Sequence, residues 1–177
     1  MSYYDDIYEH AVDNHYLVTT ADAEDLGIPV VELGKLSSRG RLERLGNGVY
    51  RLARHVPNEA DPYAVAVARV GRDAYLWGES VIELLGLAPT TPGRIWVATP
   101  HRVRKALPEG IRVVRANVPA LLDSYDGVPG QRVADAIRAC AGRIMAERLR
   151  DAMERGRELG YVTAREERGL TGEMGWQ

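Results

Sequence analysis

Six basic residues lie between positions 35 and 54 (Lys35, Arg39, Arg41, Arg44, Arg51 and Arg54), against a single acid, Glu43. The 34 residues before them carry eight acids and neither Lys nor Arg. A local surplus of five positive charges attracts a polyanion even in a chain whose formal net charge is −2, because a phosphate backbone senses the nearby field and not the molecular sum. A second basic cluster comprises Arg94, His101, Arg102, Arg104, Lys105, Arg112 and Arg115, with Glu109 its one acid. Three readings stay open for it: a nucleic-acid contact, a face for an acidic partner, or the polar side of a two-stranded ribbon.

Covalent and metal chemistry find no comparable support. A phosphate-cradling loop needs Gly-Lys followed by Ser or Thr, but Gly34-Lys35 precedes Leu36. Neither lysine stands one residue beyond an acid in the manner of a metal-dependent nuclease. His10, His15, His55 and His101 are scattered without zinc-ligand spacing. Gly78-Glu79-Ser80 lacks the glycine that a nucleophile elbow requires two residues after its serine; a helix cap is the better account. Cys140 has Val133, Ile137 and Ile144 at helical spacing and reads as a small core side chain. The expectation is therefore a protein that is not an enzyme, with no catalytic residue, metal or cofactor.

The elements that must position the first basic strip can be read in order. Tyr4, Ile7, Tyr8, Ala11 and Val12 recur at steps of three and four, predicting a helix over residues 3–14. Leu17 and Val18 form an apolar link. Thr19 or Thr20 caps a second helix ending near Leu26, which Gly27 closes. Pro29 suits the first turn of a third helix running to about Arg39 and Gly40. On that helix Val30, Leu33, Gly34, Leu36 and Ser37 share one side, and Val31, Glu32, Lys35, Ser38 and Arg39 the other. Two strand-forming runs then flank Asn47-Gly48, the strongest short signal for a tight hairpin. Three helices followed by a hairpin give a winged helix-turn-helix. Its candidate double-stranded DNA contacts are Lys35, Ser38 and Arg39 on the third helix, with Arg41, Arg44, Asn47 and Arg51 on or beside the wing.

Beyond a linker at Val56–Asp61, Asp61 is expected to cap a helix opening with Pro62. Tyr75–Trp77, Ile95–Ala98 and Ile111–Arg115 read as strands, and residues 79–85 as an apolar helix. Helices follow over roughly 130–141, 143–159 and 163–170. The fold class is thus α/β (α+β): a winged helix-turn-helix over residues 1–56, then a mixed α/β domain over 57–177 that ends in helices.

The stretch from Tyr16 to Gly40, the run Leu42–Leu52 with its Gly46-Asn47-Gly48-Val49-Tyr50-Arg51 ending, and the later Trp77-Gly78-Glu79-Ser80 and Leu84-Leu85-Gly86-Leu87 blocks resemble AbiEi-type antitoxins. These belong to type IV toxin–antitoxin systems linked to phage defence. The resemblance spans about residues 15–145 and fades in the C-terminal helices. It implies a repressor binding the operator of its own operon through Lys35, Ser38, Arg39, Arg44, Asn47 and Arg51. It also implies a second domain that counteracts a nucleotidyltransferase-like toxin. Other readings are a stand-alone winged-helix regulator without a toxin, and a protein-interaction module built on the same fold. No stretch approaches the roughly 20 apolar residues of a membrane span. Residues 1–6 hold two acids and no base, unlike a leader peptide. Both point to a cytoplasmic chain with no membrane partner.

Overall fold

The computed structural model describes residues 2–91 and 93–177; Met1, the first residue of the stretch read against a leader peptide, lies outside them. The first helix, α1 (Tyr3–Val12), starts from a capping box in which the Ser2 hydroxyl accepts from the Asp5 N–H and the Asp5 carboxylate accepts from the Ser2 N–H. Leu17–Thr19 is a strand, β1, where a short apolar link was expected at Leu17 and Val18. It pairs antiparallel with β3 (Val49–Leu52), which also pairs with β2 (Leu42–Gly46). Two apolar residues were too few to announce a strand; the partner that satisfies their backbone lies some 30 residues downstream.

Thr19 caps α2 (Thr20–Asp25), again through a capping box, here with Asp22. Gly27 ends that turn in the left-handed region (φ 71°). The third helix, α3 (Val31–Ser38), begins two residues after Pro29, whose carbonyl accepts from the Glu32 N–H at 2.9 Å. The β2–β3 hairpin closes through Asn47 and Gly48, both at positive φ (54° and 73°). A type I′ turn demands that pair of conformations, which Asn and Gly adopt at least cost.

The second lobe is a mixed five-stranded sheet flanked by helices. Its strands are β4 (Tyr75–Leu76), β5 (Ile95–Thr99), β6 (Ile111–Arg115), β7 (Leu122–Tyr125) and β8 (Val128–Gln131), in the order β6-β5-β4-β8-β7. The strands that one open reading made a two-stranded ribbon are the parallel pair β5–β6 at the edge of this sheet. Around it run α4 (Asp61–Val70), α5 (Glu79–Leu84), α6 (Val133–Ala139), α7 (Ala146–Glu158) and α8 (Ala164–Met174).

Two capping expectations are corrected, at Asp61 and Ser80. Ala60, not Asp61, is the N-cap of α4, and the Asp61 carboxylate turns back to accept from the Asn58 N–H at 2.8 Å. Gly78 is the N-cap of α5, one of the two positions expected, with no side-chain hydrogen bond there. Ser80 is buried, and its hydroxyl accepts the Trp96 N–H at 2.7 Å, tying α5 to β5. Cys140 is buried beside that helix, and burial pushes its thiol pKa up to about 12.

The core sits in two parts, and one thin sheet separates them. Val18, Tyr50, Leu52 and Leu42 face Ile7, Ala11, Ala23, Ile28 and Leu33. Alternation of side chains along a strand sends their neighbours Leu17 and Val49 the other way. There they join Ala60, Ala64 and Val67 in the core of the second lobe. The sequence break at Val56–Asp61 therefore links two lobes that share buried surface. Truncating Leu17 to Ala should destabilise the whole chain by about 2–5 kcal/mol, the usual range for a buried leucine. Chemical denaturation followed by tryptophan fluorescence tests this, since Trp77, Trp96 and Trp176 all lie in the second lobe. A cost below about 0.5 kcal/mol, the scale of an ordinary surface substitution, would show that the seam contributes nothing.

Candidate nucleic-acid interface

The third helix presents two sides, as its sequence requires. Leu33 is fully buried and Leu36 partly so, while Val31, Lys35, Ser38 and Arg39 are exposed. Val30 departs from the expected division, because it precedes the helix and stays 38% exposed. Lys35 Nζ pairs with Glu32 Oε1 at 2.9 Å. A solvent-exposed bridge of this kind contributes roughly 0–1 kcal/mol, so Lys35 can exchange Glu32 for another anion at little cost. The Ser38 hydroxyl donates to the Gly34 carbonyl at 3.0 Å and keeps its lone pairs outward. Arg39 caps the C-terminus of α3 and enters no ion pair among the described residues.

Arg41 follows at the foot of β2 and stacks on Tyr4, its guanidinium carbon 3.9 Å from the ring centroid. Stacking of this kind holds the guanidinium plane while leaving its edge N–H groups available. Tyr3, Tyr4, Glu32, Leu36, Arg39 and Arg41 line a shallow depression of about 340 Å³ between α1 and α3. Arg44 lies opposite Tyr50 in the β2–β3 register and donates to its hydroxyl at 2.8 Å. These contacts bring Lys35, Ser38, Arg39 and Arg41 to one end of the winged lobe, with Arg44 further along the wing.

Two candidates are placed differently. Asn47 does not project freely from the wing tip: its Nδ2 donates to the Ala106 carbonyl at 2.8 Å, and its Oδ1 accepts from Arg69 at 3.3 Å. The second lobe therefore occupies the position from which Asn47 was expected to reach a groove. Arg51 lies on the face of β3 opposite to Tyr50, pairs with Glu43 at 2.9 Å, and lines a 730 Å³ groove with Arg69, Arg94, Tyr63 and Glu83. Strand alternation explains this: Val49 must be buried in the seam, and Arg51, two residues on, inherits its direction.

Of the second basic cluster, Arg94, Arg102, Arg104, Lys105 and Arg115 are exposed and Arg112 is half-buried. Arg112 donates to the Glu109 carbonyl at 2.8 Å. His101 pairs with Asp73 at 2.9 Å, and desolvation by neighbouring groups lowers the pKa of Lys105. One exposed residue on the outward side of α3 was not among the candidates. Val31 is 62% exposed at the first turn of α3, where a recognition helix meets base edges. Its place on the outward side was legible in the helical spacing, but an apolar residue carried no charge signal.

Residues 5–53 match the family model described as "Transcriptional regulator, AbiEi antitoxin". That match covers the winged-helix segment alone. The match ends one residue past β3 and leaves the five-stranded sheet outside it. The crystal structure of the RV2827C protein from Mycobacterium tuberculosis is similar over 98% of this chain and 82% of its own, at 18% identity and a TM-score of 0.39. None of the curated proteins matches the chain. Among the described residues no helix is long and apolar enough to cross a membrane, and no group of three or more His, Cys, Asp and Glu residues is placed to hold a metal ion.

Substituting Lys35 or Arg39 by Ala should weaken binding to a cognate duplex by about 1–3 kcal/mol if either makes a bidentate base contact. A loss limited to affinity, equal on cognate and scrambled duplexes, would mark a phosphate contact instead. Unchanged binding to both would remove α3 from the interface. Fluorescence anisotropy with labelled duplexes distinguishes these outcomes.

Proposed function

We propose that this chain is a DNA-binding autorepressor and the antitoxin of a type IV toxin–antitoxin pair. The observation that carries the reading is the AbiEi-type segment folded so that Lys35, Ser38 and Arg39 stand exposed on α3, with Arg41 and Arg44 beside them. A helix with one buried and one exposed polar side fits a major groove, while flanking arginines hold phosphates and set its register. The DNA is the double-stranded operator of its own operon. Work of this kind needs no catalysis or cofactor, and its site is the cytoplasm.

The division of labour follows the boundary between residues 1–56 and 57–177. The first part binds DNA, and the second opposes a nucleotidyltransferase-like toxin that serves phage defence. Shared burial of Leu17 and Val49 does not conflict with this, because exposed surfaces on either side of a seam can serve different partners. The test uses the full-length chain with Lys35, Arg39 and Arg44 all changed to Ala. It should lose repression of a reporter placed behind its own upstream region, yet still rescue cells expressing the toxin encoded beside it. Retained repression by a folded, abundant variant would contradict the DNA-binding role. Lost rescue would show that both activities use one surface.

A further inference from the structure

Two basic segments far apart in sequence meet at the tip of the wing. The first is the strip from Lys35 to Arg54. The second, residues 94–115, holds six Lys and Arg residues against Glu109, the same surplus of five. The link between them is the bond from Asn47 to the Ala106 carbonyl, reinforced where Arg69 donates to Asn47.

Topology dictates the meeting. The strands β5 and β6 are parallel neighbours, so no tight turn can join them. The chain must run back along the sheet through residues 100–110, and this crossover carries Arg102, Arg104 and Lys105. Its far end packs inward through Leu107, on the same core that holds Leu45 of the wing. Wing and crossover are thus fixed side by side by apolar packing and by hydrogen bonds.

Arg102 and Arg104 are exposed, and neither forms an ion pair among the described residues. Elsewhere the chain matches many of its arginines: Arg132, Arg138, Arg155 and Arg157 each meet a carboxylate within 3.1 Å. Even the unpaired arginines of the C-terminal helices sit in a balanced field, since residues 147–173 hold seven acids and six arginines. The crossover has no such balance.

We propose that the β5–β6 crossover is a second DNA-backbone contact, continuous with the wing and made through Arg102 and Arg104. This rests on the reading of the winged lobe as a DNA binder and extends it into the other lobe. Arg104 is two residues from Ala106, at most about 7 Å of extended chain. Successive phosphates of one strand are about 3.4 Å apart along the axis. A duplex whose backbone passes the wing tip therefore brings phosphates to Arg104 within about two base-pair steps. The winged lobe reads sequence, and the crossover grips the flanking backbone without reading it.

The experiment titrates full-length protein against a duplex from its own upstream region and a random duplex of equal length, across a range of salt. Wild type, R102A/R104A, R102K/R104K and R39A/R44A are compared, with thermal melting to confirm folding. Each phosphate contact contributes about 0.9 to the slope of log K against log salt, so R102A/R104A should flatten it by about 1–2 on both duplexes. The lysine pair should restore the slope. An unchanged slope in R102A/R104A, while R39A/R44A weakens binding, would overturn the crossover contact and leave the winged lobe as the binder. Failure of wild type to bind either duplex would overturn both readings. Normal binding by R102A/R104A with lost toxin rescue would assign the crossover to a protein partner.

Discussion

Everything in this fold depends on β3 being buried on both sides. A four-residue strand in a three-stranded sheet has only two faces to offer, and both are used. Tyr50 and Leu52 close the winged core, while Val49 enters the core of the second lobe. Neighbouring β1 repeats the device with Val18 and Leu17. A sheet apolar on one face would leave the winged lobe a separate bead on a linker. Here the sheet is a shared wall, and moving either lobe would expose side chains that together keep the other folded.

Polar contacts then fix the angle that the wall permits. His15, at the end of α1, bonds to the Asp61 carboxylate at 3.1 Å and to the Asp126 carbonyl. Arg72, just past α4, reaches the Asp25 carboxylate at 2.9 Å, and this pairing raises the arginine pKa and lowers that of the acid. The exposed Arg72–Asp25 pair contributes little to stability; its effect is directional. Acids of the first 34 residues are thus spent partly on the seam, as with Asp25, and partly on capping, as with Asp5 and Asp22. Lys35, Arg39 and Arg41 are left on and beside α3 with Glu32 and Asp5 as nearby acids. The charge asymmetry of the sequence becomes an asymmetry of surfaces.

The winged lobe was largely legible before any coordinates because its signals are local. Capping residues, Gly27, the Asn47-Gly48 turn and the two-sided spacing of α3 each act within a few residues. What remained hidden was non-local. β1 became a strand only through pairing with β3. The β7–β8 hairpin went unread although Asp126-Gly127 supplies a turn at positive φ (49° and 81°), because its strands are short and hold only moderate apolar content. The start of α6 at Val133, and not near 130, follows from the same hairpin using Val128–Gln131 as a strand. On α3, Val31, Lys35, Ser38 and Arg39 are exposed on the side that the helical spacing grouped together. Asn47 and Arg51 were placed by type and proximity to the wing, and no local rule could show that a second lobe would stand against that face.

Amide hydrogen exchange of the full-length chain, with and without a duplex from its own upstream region, tests the central claim most directly. The account predicts added protection over α3, at the foot of β2 and along residues 100–106, with α7 and α8 unchanged. Protection confined to residues 146–174, or none at a concentration where the duplex is bound, would contradict it.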